Sequence, residues 1–147
     1  MCVRPSSRTR LFGRLSLLFG CAVFAVPGGG LGREFQAASM VSLLANCQQF
    51  DSKVVYTTGV AAIGFEEQSL CLTSELAGVD SLSCLWLEIA RSPGPPPRGI
   101  SNGALISVQG EVSCQQKGHL GGYAGTIWDL DLIVNAKSGE LLWQRPK

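Results

Sequence analysis

Apolar and polar residues alternate with a period of two in five segments of the chain, the pattern of a strand with one buried face. The longest segment covers residues 53–65, and glycines at 59 and 64 interrupt it. The other four cover residues 69–73, 83–89, 104–112 and 123–134. The sequence therefore predicts five β-strands.

A short helix is predicted ahead of the strands, over residues 37–47. Val41, Leu44 and Ala45 have the spacing of one helix face, and Ser39 is a suitable N-cap. In contrast, residues 91–103 contain so many prolines that we expect an exposed loop there.

The predicted core comes from the alternating faces of the last two strands. Ile106, Val108 and Val112 point inward from the fourth strand. In the fifth, the inward residues are Trp128, Leu130 and Leu132, opposite two outward, solvated carboxylates, Asp129 and Asp131.

Five short strands with glycine corners favour a mostly β domain, a small five-stranded barrel of OB-like or Greek-key type with a short N-terminal helix. Closure into a barrel removes the exposed edges of the sheet. An open five-stranded sheet under one helix is the alternative.

The net charge of the 147-residue chain changes sign after residue 38. Residues 1–38 carry five arginines and one glutamate, net +4, whereas residues 39–147 carry seven basic and ten acidic residues, net −3. The negative domain lacks the basic stripe that phosphate backbones require, which argues against nucleic acid as a partner.

The first 38 residues have the pattern of a secretory signal. Four arginines precede an apolar run at 15–26, and Pro27 and three glycines follow it. Twelve residues are fewer than the about 20 that a membrane-spanning helix needs. We therefore predict a leader at 1–38, cleavage within 28–39, and one exported domain at 39–147. Lipidation of Cys21, which would place the protein on a membrane, is the alternative.

The run at residues 43–67, LLANCQQFDSKVVYTTGVAAIGFEE, resembles small bacterial proteins with the pattern L-x-x-N-x-x-x-F-D-x-K-x-V-x-x-x-G. The later segments SLSCLWLEI, ISVQGEV and GHLGGYAGTI are also similar to that family, so the resemblance covers about residues 40–134. It implies an OB-like barrel, and it brings no catalytic motif and no function.

Four cysteines lie in the predicted domain: Cys47, Cys71, Cys84 and Cys114. In an exported protein they predict two disulfides, with three possible connectivities. Cys71 facing Cys84 across adjacent strands would leave Cys47 with Cys114. Reduced thiols are one alternative. A zinc site is another, although its ligands usually come in closely spaced pairs, which are absent from this sequence.

Tyr56 and Trp86 are the candidate binding residues, because each lies opposite the apolar stripe of its strand. Exposed aromatic side chains on OB-like barrels stack on bases or sugars, or contact proteins. The alternative is that the helix or the proline-rich loop covers both rings.

These features predict a non-enzymatic binding or accessory module of the bacterial envelope, with a protein or envelope ligand and without a cofactor or metal. One alternative is a single-stranded nucleic-acid-binding OB protein. Another is a small secreted thiol-active enzyme using Cys114 and His119, with Asp129 or Asp131 as the orienting carboxylate.

Overall fold

The computed structural model describes residues 33–77 and 79–147, which contain seven strands and two short α-helices. The strands are β1 (Gln36–Ala37), β2 (Val54–Gly64), β3 (Glu67–Cys71), β4 (Cys84–Leu87), β5 (Leu105–Ser113), β6 (Gly125–Asn135) and β7 (Leu141–Gln144). The helices are α1 (Met40–Ala45) and α2 (Cys47–Phe50). The predicted signal and Cys21 lie outside the described residues.

Five strands close into a barrel, as the alternating pattern predicts. β2 pairs with β3, β3 with β4, β6 with β5, and β5 with β2, all antiparallel, and the parallel pair β4–β6 completes the circle. A five-stranded closed barrel with this mixture of pairings is OB-like.

Gly59 lies at the corner where β2 passes from one neighbour to the other. Val54–Val60 of β2 pair with β5, and Val60–Gly64 pair with β3. A Cβ on Gly59 would lie 2.8 Å from the Cys71 carbonyl oxygen and 2.8 Å from the Leu70 side chain. The predicted glycine corner is therefore confirmed, and its cause is the close approach of β3.

The core fills the barrel from the inner faces of all five strands. Its fully buried side chains include Val55, Leu70, Leu85, Leu87, Ile106, Val108, Val112, Ile127, Leu130 and Ile133. α1 contributes Leu43 and Met40, while Val41 is 60% exposed. The predicted apolar helix face is therefore right only for Leu44, which packs against the core, because the helix starts at Met40 and turns a different stripe inward. Ser39 caps it as predicted, accepting a hydrogen bond from the Ser42 amide at 3.1 Å.

A bulge in β6 changes the predicted inward face of that strand. Trp128 pairs with Glu111 and Leu132 with Gln109, so residues 129–131 oppose Gly110 alone. Asp129 has a φ of +46° at this point. As a result Ile127, Leu130 and Ile133 are buried, whereas Trp128 and Leu132 are only half-buried.

Both ends of the described chain pack onto the barrel. β1 runs parallel to β2, and the Ala38 amide donates to the Tyr56 carbonyl oxygen at 3.0 Å. The folded unit therefore includes residues 33–38, ahead of the predicted start at Ser39. At the other end β7 pairs with β6, and the Trp143 indole N–H donates to the Pro95 carbonyl oxygen at 2.8 Å.

The proline-rich loop at 91–103 contains no helix or strand, as predicted. Among the described residues, no helix combines the length and apolar character that a membrane crossing requires.

Candidate functional site

Two disulfides join the four cysteines of the barrel. Cys71 and Cys84 are directly paired across β3 and β4 and are bonded to each other. The other bond, Cys47–Cys114, ties α2 to the end of β5. This is the connectivity favoured by the strand pattern, and it is consistent with an oxidising compartment.

The disulfides contradict both alternatives for these cysteines, reduced thiols and a zinc site, because all four sulfur atoms are bonded in pairs. Cys114 carries no free thiol, so the pairing of a Cys114 nucleophile with His119 is wrong. No group of three or more metal-ligating side chains lies together in the part of the chain that the structure describes.

Trp86 lies on the outer surface of β4, as the sequence predicts, and it does so within an aromatic cluster. In the strand register it lies between Ser69 of β3 and Thr126 of β6. The Tyr123 ring centroid is 5.2 Å away at an interplanar angle of 58°, and the His119 ring is stacked at 6.2 Å and 27°. We call Trp86, His119 and Tyr123 the aromatic cluster.

The loop between β5 and β6 lies directly on these rings because of Gly118. Its φ is +64°, and a Cβ there would lie 2.5 Å from the Trp86 Cβ. The Tyr123 amide donates to the Lys117 carbonyl oxygen at 3.1 Å, and the Thr126 hydroxyl donates to the Gln116 carbonyl oxygen at 2.7 Å. These hydrogen bonds fix the loop before any ligand arrives.

An open cleft of about 510 Å³ lies between this loop and β4. Its volume is within the range of small-molecule binding sites. We call it the aromatic cleft. Trp86 lines the cleft together with residues that carry both hydrogen-bond acceptors and donors. These lining residues are Glu88, Arg91, Gln116, Lys117, Gly118, His119 and Thr126.

A second loop reaches the rim of the aromatic cleft. Glu66, in the turn between β2 and β3, places its carboxylate 3.9 Å from the His119 Nε2. Phe65 and Leu120 carry large apolar side chains in these two loops and are 95% and 91% exposed.

The environment of Tyr123 disfavours its ionised form. Burial raises the pKa of its hydroxyl, and the negative charge of Glu67 raises it further, while a hydrogen bond with Ser69 opposes the shift.

Tyr56, the other predicted binding residue, is not part of the aromatic cleft. Its ring lies 5.7 Å from Phe35, next to β1. Across the sheet, Trp86 pairs with Ser69, and Ser69 pairs with Ala62 of β2. Tyr56 lies six residues from Ala62 along β2, a distance of about 20 Å. The sequence thus indicated Trp86 as a binding residue, named His119 only as a candidate catalytic residue, and missed Tyr123, which falls at the start of a predicted strand.

The prediction that Asp129 and Asp131 are solvated carboxylates is wrong. The two side chains are the centre of an ion-pair network. Arg33 donates to Asp129 at 2.7 Å and to Asp131 at 2.9 Å, and Arg145 donates to Asp131 at 2.8 Å. We call these four residues the terminal clamp. The clamp occupies both carboxylates, so neither orients His119.

Burial alone would raise the pKa of Asp129, but hydrogen bonds and charge from Arg145 and Arg33 lower it overall. No signal along the chain marks this network, because its members meet only after both ends fold onto the β6 bulge.

Comparison of the sequence with models of known protein families and with curated protein sequences finds no match. OB folds bind oligonucleotides and oligosaccharides on the second and third barrel strands, between the loops after the first and fourth strands. Here those elements are β3, β4, the Phe65–Glu66 turn and the loop that bears His119. The aromatic cleft lies at that position.

Proposed function

We propose that the protein is a non-enzymatic binding module of the bacterial envelope that holds its ligand in the aromatic cleft. The observation that carries the proposal is the stacking of His119 on Trp86 within a fixed loop. A ring system that is already ordered loses little conformational freedom on binding, which favours a recognition role.

Export of the protein is part of the proposal. The arginine-rich start and short apolar run are typical of a signal peptide. The two disulfides support the same compartment, since such bonds persist in oxidising environments.

The experiment compares crosslinking from two positions on the surface of the protein, one at the cleft and one away from it. A photo-crosslinking amino acid replaces Leu120, at the rim of the cleft, or Leu141 on β7 as the control, since both side chains are exposed. We expect a discrete adduct with an envelope component from position 120 only. The exposed side chain of His119 allows a second check, because His119→Ala should reduce that adduct without changing the melting temperature.

Equal adducts from both positions, or an adduct unaffected by His119→Ala, contradict the proposal. Trp86→Ala is the less informative variant, because Trp86 is half-buried beneath Gly118. Its removal should destabilise the loop as well as the site.

A further inference from the structure

We infer that the aromatic cleft takes an oligosaccharide that carries a carboxylate. This inference rests on the proposed function and names the ligand class of the same site. Three properties of the cleft support this inference: its aromatic lining, its mixture of hydrogen-bond donors and acceptors, and its local charge.

The aromatic lining consists of Trp86 and His119, which lie among polar side chains. Aromatic rings carry partial negative charge on their faces, so they attract the weakly positive C–H groups on the flat side of a sugar ring. His119 is stacked on Trp86, so the two rings form one continuous apolar surface beside the cleft. A sugar ring in the cleft would contact the accessible part of this surface.

The polar side chains of the lining match hydroxyl groups, which both donate and accept hydrogen bonds. Glu88 offers acceptors, Arg91 and Lys117 offer donors, and the Gln116 side-chain amide offers both. A purely apolar ligand would leave these groups without partners, at a cost in binding free energy.

The charge of the cleft differs from that of the rest of the domain. Two cations, Arg91 and Lys117, and one anion, Glu88, line the cleft, and Glu66 lies at its rim beside His119, whereas residues 39–147 have a net charge of −3. A single carboxylate on the ligand would complement the two cations of the lining.

A nucleic-acid strand fits the same surface less well. Phosphates repeat along the strand and require cations along the whole path. Here Glu66, in the turn between β2 and β3, lies 3.9 Å from His119, and Glu67 follows it as the first residue of β3. These carboxylates would repel the next phosphates, so the surface favours one local negative charge.

The test uses NMR titration of the whole folded domain with matched oligosaccharides. A muramic-acid disaccharide supplies one carboxylate, and its methyl ester is the uncharged control. A disaccharide that carries a single galacturonic acid residue, with its methyl ester, completes the set. We expect an acidic probe to shift the Trp86 indole and residues 116–119, with clearly weaker binding of the ester.

Lys117→Gln should weaken binding of the acidic probe about tenfold and leave the ester unaffected, because it removes one charge-assisted contact. Lys137→Gln is the matched control, since Lys137 is an exposed lysine in the turn before β7. Unchanged amide spectra outside the cleft would show that both variants remain folded.

Three results would overturn the inference. The first is no shift with any acidic probe, the second is equal binding of the acid and its ester, and the third is shifts confined to residues outside the cleft. Salt-sensitive binding of an oligothymidine strand at Trp86 would identify nucleic acid instead. The crosslink at position 120 does not depend on the ligand being a sugar. Its presence would still support the proposed binding function even if the inferred ligand class were wrong.

Discussion

Arg33 and Arg145 come from opposite ends of the described chain and bind different oxygens of the same carboxylate, that of Asp129. Arg33 Nη1 lies 2.7 Å from Asp129 Oδ2, and Arg145 Nη2 lies 2.5 Å from Oδ1. Each guanidinium also binds Asp131 through its Nε. The clamp therefore fastens the N-terminal and C-terminal segments to the bulge of β6.

Loss of one arginine should destabilise the fold through this network. We expect Arg33→Gln or Arg145→Gln to lower the free energy of unfolding by about 1–2 kcal/mol, since the arginines are about one-third exposed and partly screened. Urea denaturation measures the change. Arg98→Gln in the exposed loop is the control, with a change within about 0.5 kcal/mol. Equal effects of the three substitutions would show that the clamp contributes no stability.

The clamp also predicts how stability depends on pH. Arg145 and Arg33 lower the pKa of Asp129 in the folded protein. The ion pairs of Asp129 therefore contribute fully to the free energy of unfolding above the unfolded pKa of about 3.9, and this contribution is lost as the pH falls through the folded pKa. Asp129→Asn should therefore destabilise the protein near neutral pH and much less in strong acid. Denaturation across this range tests it, and a difference that does not depend on pH would contradict it.

The two disulfides should differ in their contribution to stability. Cys47–Cys114 closes 67 residues and Cys71–Cys84 closes 13. Loop-closure entropy then assigns about 4 kcal/mol to the first bond and about 3 kcal/mol to the second. Paired Cys→Ala variants, compared by thermal or urea unfolding, should rank in that order, and the reverse order would show that packing around Cys71 and Cys84 dominates.

Gly110 should be intolerant of any side chain. A Cβ there would lie 2.8 Å from Ile127 Cγ2 and 2.9 Å from both Leu130 Cδ2 and the Trp128 carbonyl oxygen. We expect Gly110→Ala to destabilise the barrel by about 1–3 kcal/mol through overpacking. Gly64→Ala in β2 is the matched control, because its nearest neighbour is 3.9 Å away. A neutral Gly110→Ala would mean that the β6 bulge relaxes freely.

The position of β1 narrows the predicted cleavage site. Cleavage after Arg33 would remove an arginine of the clamp, and cleavage near Ser39 would also remove β1. Within the predicted 28–39 window, we therefore expect the mature chain to begin no later than Arg33. Intact mass of the protein isolated from its host measures this directly, and a chain that begins at Ser39 would contradict it.

The repeating pattern of the sequence was sufficient for most of the barrel. The strand at 104–112 was predicted with its inward residues Ile106, Val108 and Val112, because nothing interrupts the alternation there. In the fifth strand Leu130 was correctly predicted to point inward, whereas Trp128 and Leu132 were not, since a bulge inserts residues that have no signal of their own. The helix face was only partly right for a similar reason, because six helical residues are too few to define a periodic stripe.

The candidate site was predictable only in part. Trp86 stood out because a large aromatic residue occupied a polar-facing position. Tyr123 did not, because its role depends on a loop folding back onto β4. Tyr56 had the same local pattern as Trp86, and only the strand register shows that it lies on a different part of the surface.

By itself, the sequence determined the strand periodicity, the glycine corner and the preferred disulfide connectivity, because each depends on local spacing or on neighbouring strands. Tertiary structure alone decided the terminal clamp, the β6 bulge and the aromatic cleft. These features join residues that are far apart in the chain, and their contacts exist only once closure of the barrel has set the distance between them.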